Sequence, residues 1–598
     1  MIFSRKWRFV SPFSLTNVEK CVKIYNKEDL PQHNRNNVVF TGDFKEEFIM
    51  PFCENCGNKV SVTDRFCENC GFAIDYDYTK NSEMDSNPKS IQNLNLFSSS
   101  DWKKQLKNLN VKNSAIKFGI ILTNTQGCSL DIKATLYEKI DEYIRFREQQ
   151  EVYYYLLDLD SQQVRINNRK KEECSVEFVV EVLKEISHVI LPDFVLIVGD
   201  RNVIPSIKWS NHLHNPNNSQ SDSDTYVDSD LPYVTLTVNS PFERNSFEFY
   251  MPVGRIPSVA SNGFVEAIKY FDNTVTFHRE RLALNTMVLS AEEWFRTSAA
   301  SFDIQDATIY PCPPYSFVPS KDVHLMDHSQ GHDLMCFNLH GCQEGTGVAY
   351  GYPQYFDDFW LSGDFTIAHS PDSLPKDKAR TYVISTEACY GAKPFIRNSE
   401  YQSVLMTALQ NGCIGYLGST QIAYGAIDRS NKAGTPSSAD VICGDFSCRI
   451  YEGETLGDAY INALYSTVSV KNSYVTLHEI KTIASFALYG DPSLALVFSN
   501  NAKTVKEKRR KQIRIDFPDV RGEIELEIAR VTKEIKDRLN IYIYENHPHF
   551  ADITPCYSKF KGSKGYNATY VKTINNIPRI LSVYLNGEGE VEKTYVSK

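Results

Sequence analysis

Between residues 116 and 498, short apolar runs alternate with segments of helical spacing, and this alternation limits the fold more than any other feature of the chain. Residues 116–122, 152–157 and 193–198 read as strands, with helical spacing over 134–151 and 176–188. After an Asn/Ser/Asp-rich break at 208–230, a second run holds strands at 287–293, 335–339, 382–386 and 415–420, and a helix at 403–411. Strands separated by helices pair in parallel, with the helices covering both faces of the sheet. The expected fold is α/β, a three-layer and mostly parallel sheet in two subdomains, 111–280 and 281–500.

The flanks differ. Residues 1–50 show no clear period, 51–74 hold two cysteine pairs, and 75–110 form a polar linker. A basic run from Lys503 to Lys511 reads as solvated, and 512–598 as a small β-rich accessory domain with strands at 523–528, 539–544 and 580–585. The chain has 598 residues and a net charge of −10, which argues against nucleic acid or an anionic membrane as partner. No run reaches 18 apolar residues, so a membrane span is not expected, and the first residues lack the apolar stretch of a secretory signal. Fifteen cysteines is an odd total, with four in one motif and most others isolated, a pattern that suits a reducing cytoplasm.

That motif is Cys53-x2-Cys56, a ten-residue spacer, and Cys67-x2-Cys70, with Gly57 and Gly71 after the pairs. Two-residue spacing lets both thiolates of a knuckle face one tetrahedral ion, and glycine relieves the turn. Four thiolates leave no open coordination position, so a structural zinc is expected. The module resembles small zinc ribbons, which serve protein contacts.

Two strands end in chemistry. Met335-Cys336-Phe337-Asn338-Leu339 runs into His340-Gly341, and Tyr382-Val383-Ile384-Ser385-Thr386 into Glu387-Ala388-Cys389. Side chains leaving the carboxyl ends of neighbouring strands converge on one crevice. A Cys and a His there are a thiol nucleophile and its proton-transfer partner. The N–H groups of Gly341 and Cys389 are placed to donate to an oxyanion.

This pattern resembles the caspase, legumain, clostripain and gingipain clan of cysteine peptidases. The gingipain family is matched further by Val198-Gly199-Asp200 with Val203-Ile204-Pro205, by Asp230-Leu231-Pro232-Tyr233 and by Val253-Gly254-Arg255-Ile256-Pro257. Gly418-Ser419-Thr420 and Leu488-Tyr489-Gly490-Asp491-Pro492 follow in the family's order. The resemblance implies an endopeptidase acting through an acyl-thioester on Cys389. It makes Glu292, in Ser290-Ala291-Glu292, the orienter of His340, with Glu293 as the alternative. It places a P1 pocket at Asp303, which would favour Arg over Lys through bidentate pairing, with Tyr424 as a wall. A protein substrate is implied, and a regulatory or activating protein on the zinc ribbon or the C-terminal domain. The polar loops at 77–96 and 208–230 are exposed candidates for activating cleavage.

Plainer readings stand beside these. Cys336, Cys342 and Cys413 are small buried residues. Asp222, Asp224, Asp228 and Asp230 lack regular calcium-ligand spacing, so a solvated loop is expected, with calcium as the alternative. The competing functional class is a catalytically silent scaffold that keeps the fold and acts through its ribbon.

Overall fold

The computed structural model describes residues 117–597, except 161–164, 167–168, 171–173, 217–220, 245, 292–293, 306, 313–330, 342–351, 355–365, 370, 372–373, 376–379, 395–402, 427–435, 470–474, 499–512, 517–525, 561–563 and 575–576. The expectations for 1–116, the two cysteine pairs among them, and for the Lys503–Lys511 run lie outside the described residues.

Ten strands form the main sheet: β1 (Lys117–Thr123), β2 (Val152–Asp158), β3 (Phe194–Val198), β4 (Val253–Ile256), β5 (Thr286–Ala291), β6 (Thr308–Cys312), β7 (Leu334–Asn338), β8 (Tyr382–Thr386), β9 (Cys413–Ser419) and β10 (Phe486–Gly490). Their order is β6-β5-β7-β8-β9-β10-β4-β3-β1-β2. Neighbours are parallel except β9 and β10, which are antiparallel. Both α/β runs therefore share one continuous sheet. That single reversal has a consequence for the site: β5 to β9 open their carboxyl ends at one edge, and β1 to β4 open theirs at the opposite edge.

The sequence makes these strands by burial. Every residue of β3, β5, β7, β8, β9 and β10 is buried, which explains their near-continuous apolar runs. The helices are α1 (Leu130–Glu148), α2 (Val176–Val189), α3 (Val265–Phe277), α4 (Phe295–Ser301), α5 (Val404–Gln410), α6 (Ala439–Tyr451), α7 (Leu456–Ser469) and α8 (Leu477–Ser485). Ser129 caps α1 by accepting from the Ile132 N–H, and Leu136, Ile140, Tyr143 and Ile144 form its buried stripe. A reciprocal Thr476–Glu479 box starts α8, which is buried along its whole length. Among the described residues no helix is long and apolar enough to cross a membrane.

The C-terminal region adds α9 (Lys533–Asn546) and the antiparallel strands β11 (Leu526–Ile528), β12 (Cys556–Phe560), β13 (Tyr566–Ile574), β14 (Ile577–Leu585) and β15 (Val591–Ser597). The expected strand at 539–544 is in fact part of α9. Leu539, Ile541 and Ile543 alternate with polar or aromatic residues and so mimic a strand. However, Ile535, Leu539 and Ile543 also repeat every four residues, and Thr532 caps the helix. They bury against Leu581, Val583 and Leu585, leaving Ile541 and Tyr544 exposed. On β14 the alternate residues Ile580 and Tyr584 face the other way and join the main core.

Candidate active site

The two strands that end in His340 and Cys389 are neighbours. β7 and β8 pair in parallel with Phe337 opposite Thr386, and the Glu387 N–H donates to the Phe337 carbonyl at 2.9 Å. Beyond that point the chains stay in contact. A Cβ on Gly341 would lie 2.0 Å from the Cys389 carbonyl oxygen and 2.9 Å from the Ala388 Cβ. Only glycine allows this approach. The residue after His340 thus packs on the backbone of Cys389.

His340 is 1% exposed. Its ring meets Trp294 edge-on, with centroids 4.3 Å apart. Its Nε2 is engaged by Nη1 of Arg579, from β14 of the C-terminal region. A guanidinium only donates, so Nε2 is the acceptor, and its lone pair is occupied. Arg579 is itself 1% exposed and lies over the Trp294 ring at 6.0 Å.

Cys389 is also buried, with Sγ 3.6 Å from the Ala423 carbonyl oxygen. Burial pushes its thiol up to about 12, and Asp222 and Asp224 add to this, while Ala423 and Lys481 act the other way. The next residue, Tyr390, has φ +56°, a left-handed conformation that non-glycine residues adopt at a cost of about 1–3 kcal/mol. It is held there by its N–H on the Gln421 carbonyl (2.9 Å) and its hydroxyl on Asp224 (2.6 Å).

Asp224 belongs to a buried charge cluster that sequence reading placed in solvent. Lys481 of α8 is fully buried, with Nζ 2.5 Å from Asp222 and 2.7 Å from Asp224. Burial favours the neutral amine, but the two carboxylates outweigh it and hold the ammonium pKa above the usual lysine value. Asp222 is raised by burial against the pull of Lys481 and also accepts from the Tyr424 hydroxyl at 2.5 Å. Asp224 further accepts from the Ile422 N–H at 2.8 Å. The cluster therefore ties the turn after Cys389 to the segment 421–424 beside its sulfur.

The 208–230 expectation is corrected accordingly. Asp222, Asp224 and Asp228 are buried, Asp228 pairs with Arg201, and Asp230 holds Arg255 through two 2.6 Å bonds. These aspartates meet intramolecular cations: Lys481 is shared by Asp222 and Asp224, Arg201 meets Asp228 and Arg255 meets Asp230. Among the described residues, no group of three or more His, Cys, Asp or Glu is placed to hold a metal ion.

The remaining expected site residues divide. Tyr424 is buried next to Ala423, but its ring faces Lys481 and His478. Asp303 is exposed, after α4 and beside Cys448 near the far end of α6. Cys336 and Cys413 are buried, as expected. Glu292, Glu293 and Cys342 lie outside the described residues; β5, which leads to Glu292, places Ser290 opposite Asn338 of β7. Sequence reading missed Lys481, Trp294 and Arg579. The available signals were a lysine within the otherwise core-forming α8 and a lone arginine in the apolar run Ile577 to Leu581.

The gingipain-like motifs turn out to hold the frame. Besides Asp230, Arg255 reaches the carbonyls of Gly199 and Ile204, each at 2.9 Å. The Asp491 carboxylate receives the hydroxyls of Tyr143 and Tyr154. A Cβ on Gly254 would lie 2.1 Å from the Gly490 carbonyl oxygen.

The fold, with a histidine and a cysteine at adjoining strand ends, is that of a caspase-like cysteine peptidase. Residues 114–497 match peptidase family C25, and the chain belongs to that family. Residues 52–74, which contain Cys53, Cys56, Cys67 and Cys70, match the zinc-ribbon domain. No curated protein matches the chain. A solved structure described as "Structure of Protease" aligns with 81% of this chain and 91% of its own, at 11% identity and a TM-score of 0.41. The separase–securin complex of Saccharomyces cerevisiae at 2.6 Å resolution aligns with 54% of this chain and 18% of its own, at 12% identity and a TM-score of 0.26.

Proposed function

We propose that the chain is a cysteine endopeptidase in which Cys389 attacks the scissile carbonyl and His340 gives a proton to the leaving amine. The acyl-thioester formed on Cys389 is then hydrolysed by water, which releases the acid and regenerates the thiol. The observation that carries this reading is the approach of Gly341 to the Cys389 carbonyl, which joins the two strand ends into one site. Gly341 and Cys389 N–H groups serve the oxyanion, and Glu292 orients the imidazole.

The P1 preference is basic, Arg ahead of Lys. Its support is the family resemblance. Asp303, exposed after α4 and beside Cys448, is the acidic residue the resemblance offers for this pocket. The four ribbon cysteines hold a structural zinc, a donor set suited to a closed tetrahedral site. Cysteine usage supports a cytoplasmic setting, and the ribbon would recruit a substrate protein or a regulator.

The scaffold reading draws on one observation, the burial of Cys389 against the Ala423 carbonyl. Cleavage of a fluorogenic peptide panel varied at P1, by Arg579→Ala, which removes the guanidinium from His340 Nε2, and by Arg579→Ala/Cys389→Ala, separates the two. Turnover after Arg that vanishes in the double variant supports the peptidase, and turnover that survives the Cys389→Ala substitution overturns it.

A further inference from the structure

We propose that residues 526–597 form a cap held in cis over the Cys389–His340 site, that Arg579 is the residue occupying it, and that the chain stays latent until the cap is displaced. The inference deepens the peptidase reading and rests on its assignment of His340 and Cys389.

Three independent contacts converge on the site. Arg579 occupies Nε2 of the imidazole, so a proton cannot pass through that nitrogen while the guanidinium is in place. Strand β15 pairs with the two-residue strand Tyr424–Gly425, placing Ser597 opposite Tyr424 and Val596 opposite Gly425. These residues directly follow Ala423, whose carbonyl touches Cys389 Sγ. The backbone edge next to the nucleophile is thus paired by the chain's own last strand, in the manner of an added peptide strand. Finally, the cap is anchored on α8. The Tyr584 hydroxyl lies 2.8 Å from His478 Nδ1, the Tyr595 hydroxyl 3.1 Å from Thr476 Oγ1, and Lys593 Nζ 3.2 Å from Glu479.

The cap is also built to move as a unit. Ile535, Leu539, Ile543, Leu581, Val583 and Leu585 give it a core of its own, separate from the main one. Its attachment combines polar contacts through Arg579, Tyr584, Tyr595 and Lys593 with burial of Ile580, Tyr584, Tyr595 and Val596 in the main core, and detaching it would leave the inner core intact. Cys389 itself is buried, with its sulfur against the Ala423 carbonyl beside the strand that β15 pairs.

The test compares alkylation of Cys389 by iodoacetamide in the full chain, in Arg579→Ala and in the double variant Tyr584→Phe/Lys593→Ala, read peptide by peptide by mass spectrometry. Cys443, fully buried in α6, reports global unfolding. The cap predicts at least tenfold faster Cys389 alkylation in both variants with Cys443 unchanged, and the appearance of Arg-peptide turnover. Should Arg579→Ala expose Cys443 as well, the double variant decides. Cys389 rates within twofold of wild type in both variants overturn the cap. Faster alkylation without turnover of any P1 peptide supports the cap and overturns the peptidase reading.

Discussion

Replacing Lys481 by methionine isolates the physics of the buried cluster. The side chains are of similar length, so the change removes a charge with little change in shape. It leaves Asp222 and Asp224 facing each other in the interior without their shared cation. Breaking a buried ion pair from one side costs about 3–5 kcal/mol, because the partner charge stays desolvated. Urea unfolding, with ΔΔG taken from midpoint and slope, should show a loss of that size at pH 7. The loss should shrink on acidification. Asp222 already has a folded pKa raised above its ordinary 3.8, chiefly by burial, and without Lys481 it rises further. Above pH 3.8 the native state then holds more protons than the unfolded chain, so stability falls as pH rises through that window and is recovered as pH falls through the folded pKa. The triple variant Lys481→Met/Asp222→Asn/Asp224→Asn should regain much of the loss, since no charge remains buried. A Lys481→Met penalty under about 1 kcal/mol, or one that does not change between pH 7 and pH 5, would refute the reasoning.

The remaining predictions are shorter. Gly341→Ala must open the 2.0 Å contact with the Cys389 carbonyl by about 1 Å, a displacement that costs roughly 100-fold in kcat/KM in the Arg579→Ala background and about 1–3 kcal/mol of stability, read by kinetics and urea melts. His478 is buried among Tyr424, Tyr584, Tyr595 and Lys481, and burial pulls its pKa from 6.5 to about 3. Its contribution is present above pH 6.5 and is lost as pH falls toward 3, so Cys389 alkylation should quicken below pH 6, with a cost of about 2 kcal/mol at pH 5. A pH-independent alkylation rate, once corrected for intrinsic thiol ionisation, would count against this. Elemental analysis of the full chain should find one zinc per chain, and a Cys67→Ser/Cys70→Ser variant should lose it.

The sheet was legible in the sequence because a fully buried parallel strand leaves an unbroken apolar run, as in Phe194–Val198 or Leu334–Asn338. The strands that lead to His340 and Cys389 were legible for the same reason, and they lie side by side in the sheet. Short-range patterns failed where long-range partners decide the outcome. Asp222 and Asp224 read as solvated because their cation is more than 250 residues away. The 539–544 segment read as a strand because period two and period four overlap in it, and only the packing of Leu539 and Ile543 on β14 chooses between them. Asp303 was carried over from resemblance alone, and the structure places it exposed after α4.

The five motifs that carried the family resemblance act mainly on the frame, and this explains how the site itself can be closed. Arg255, Asp230, Gly254, Gly490 and Asp491 fasten β4 to β10 and to the turns around them, near the one place where the sheet reverses direction. Across that seam β9 and β10 lead to Gln421–Tyr424 and back from α8, the two segments on which both the Asp222–Lys481–Asp224 cluster and the cap settle. The frame can therefore hold His340 and Cys389 in register whether or not Arg579 is in place. On the proposed reading, reactivity is governed by what covers the site: Arg579 holds the imidazole, and burial keeps the Cys389 sulfur out of water.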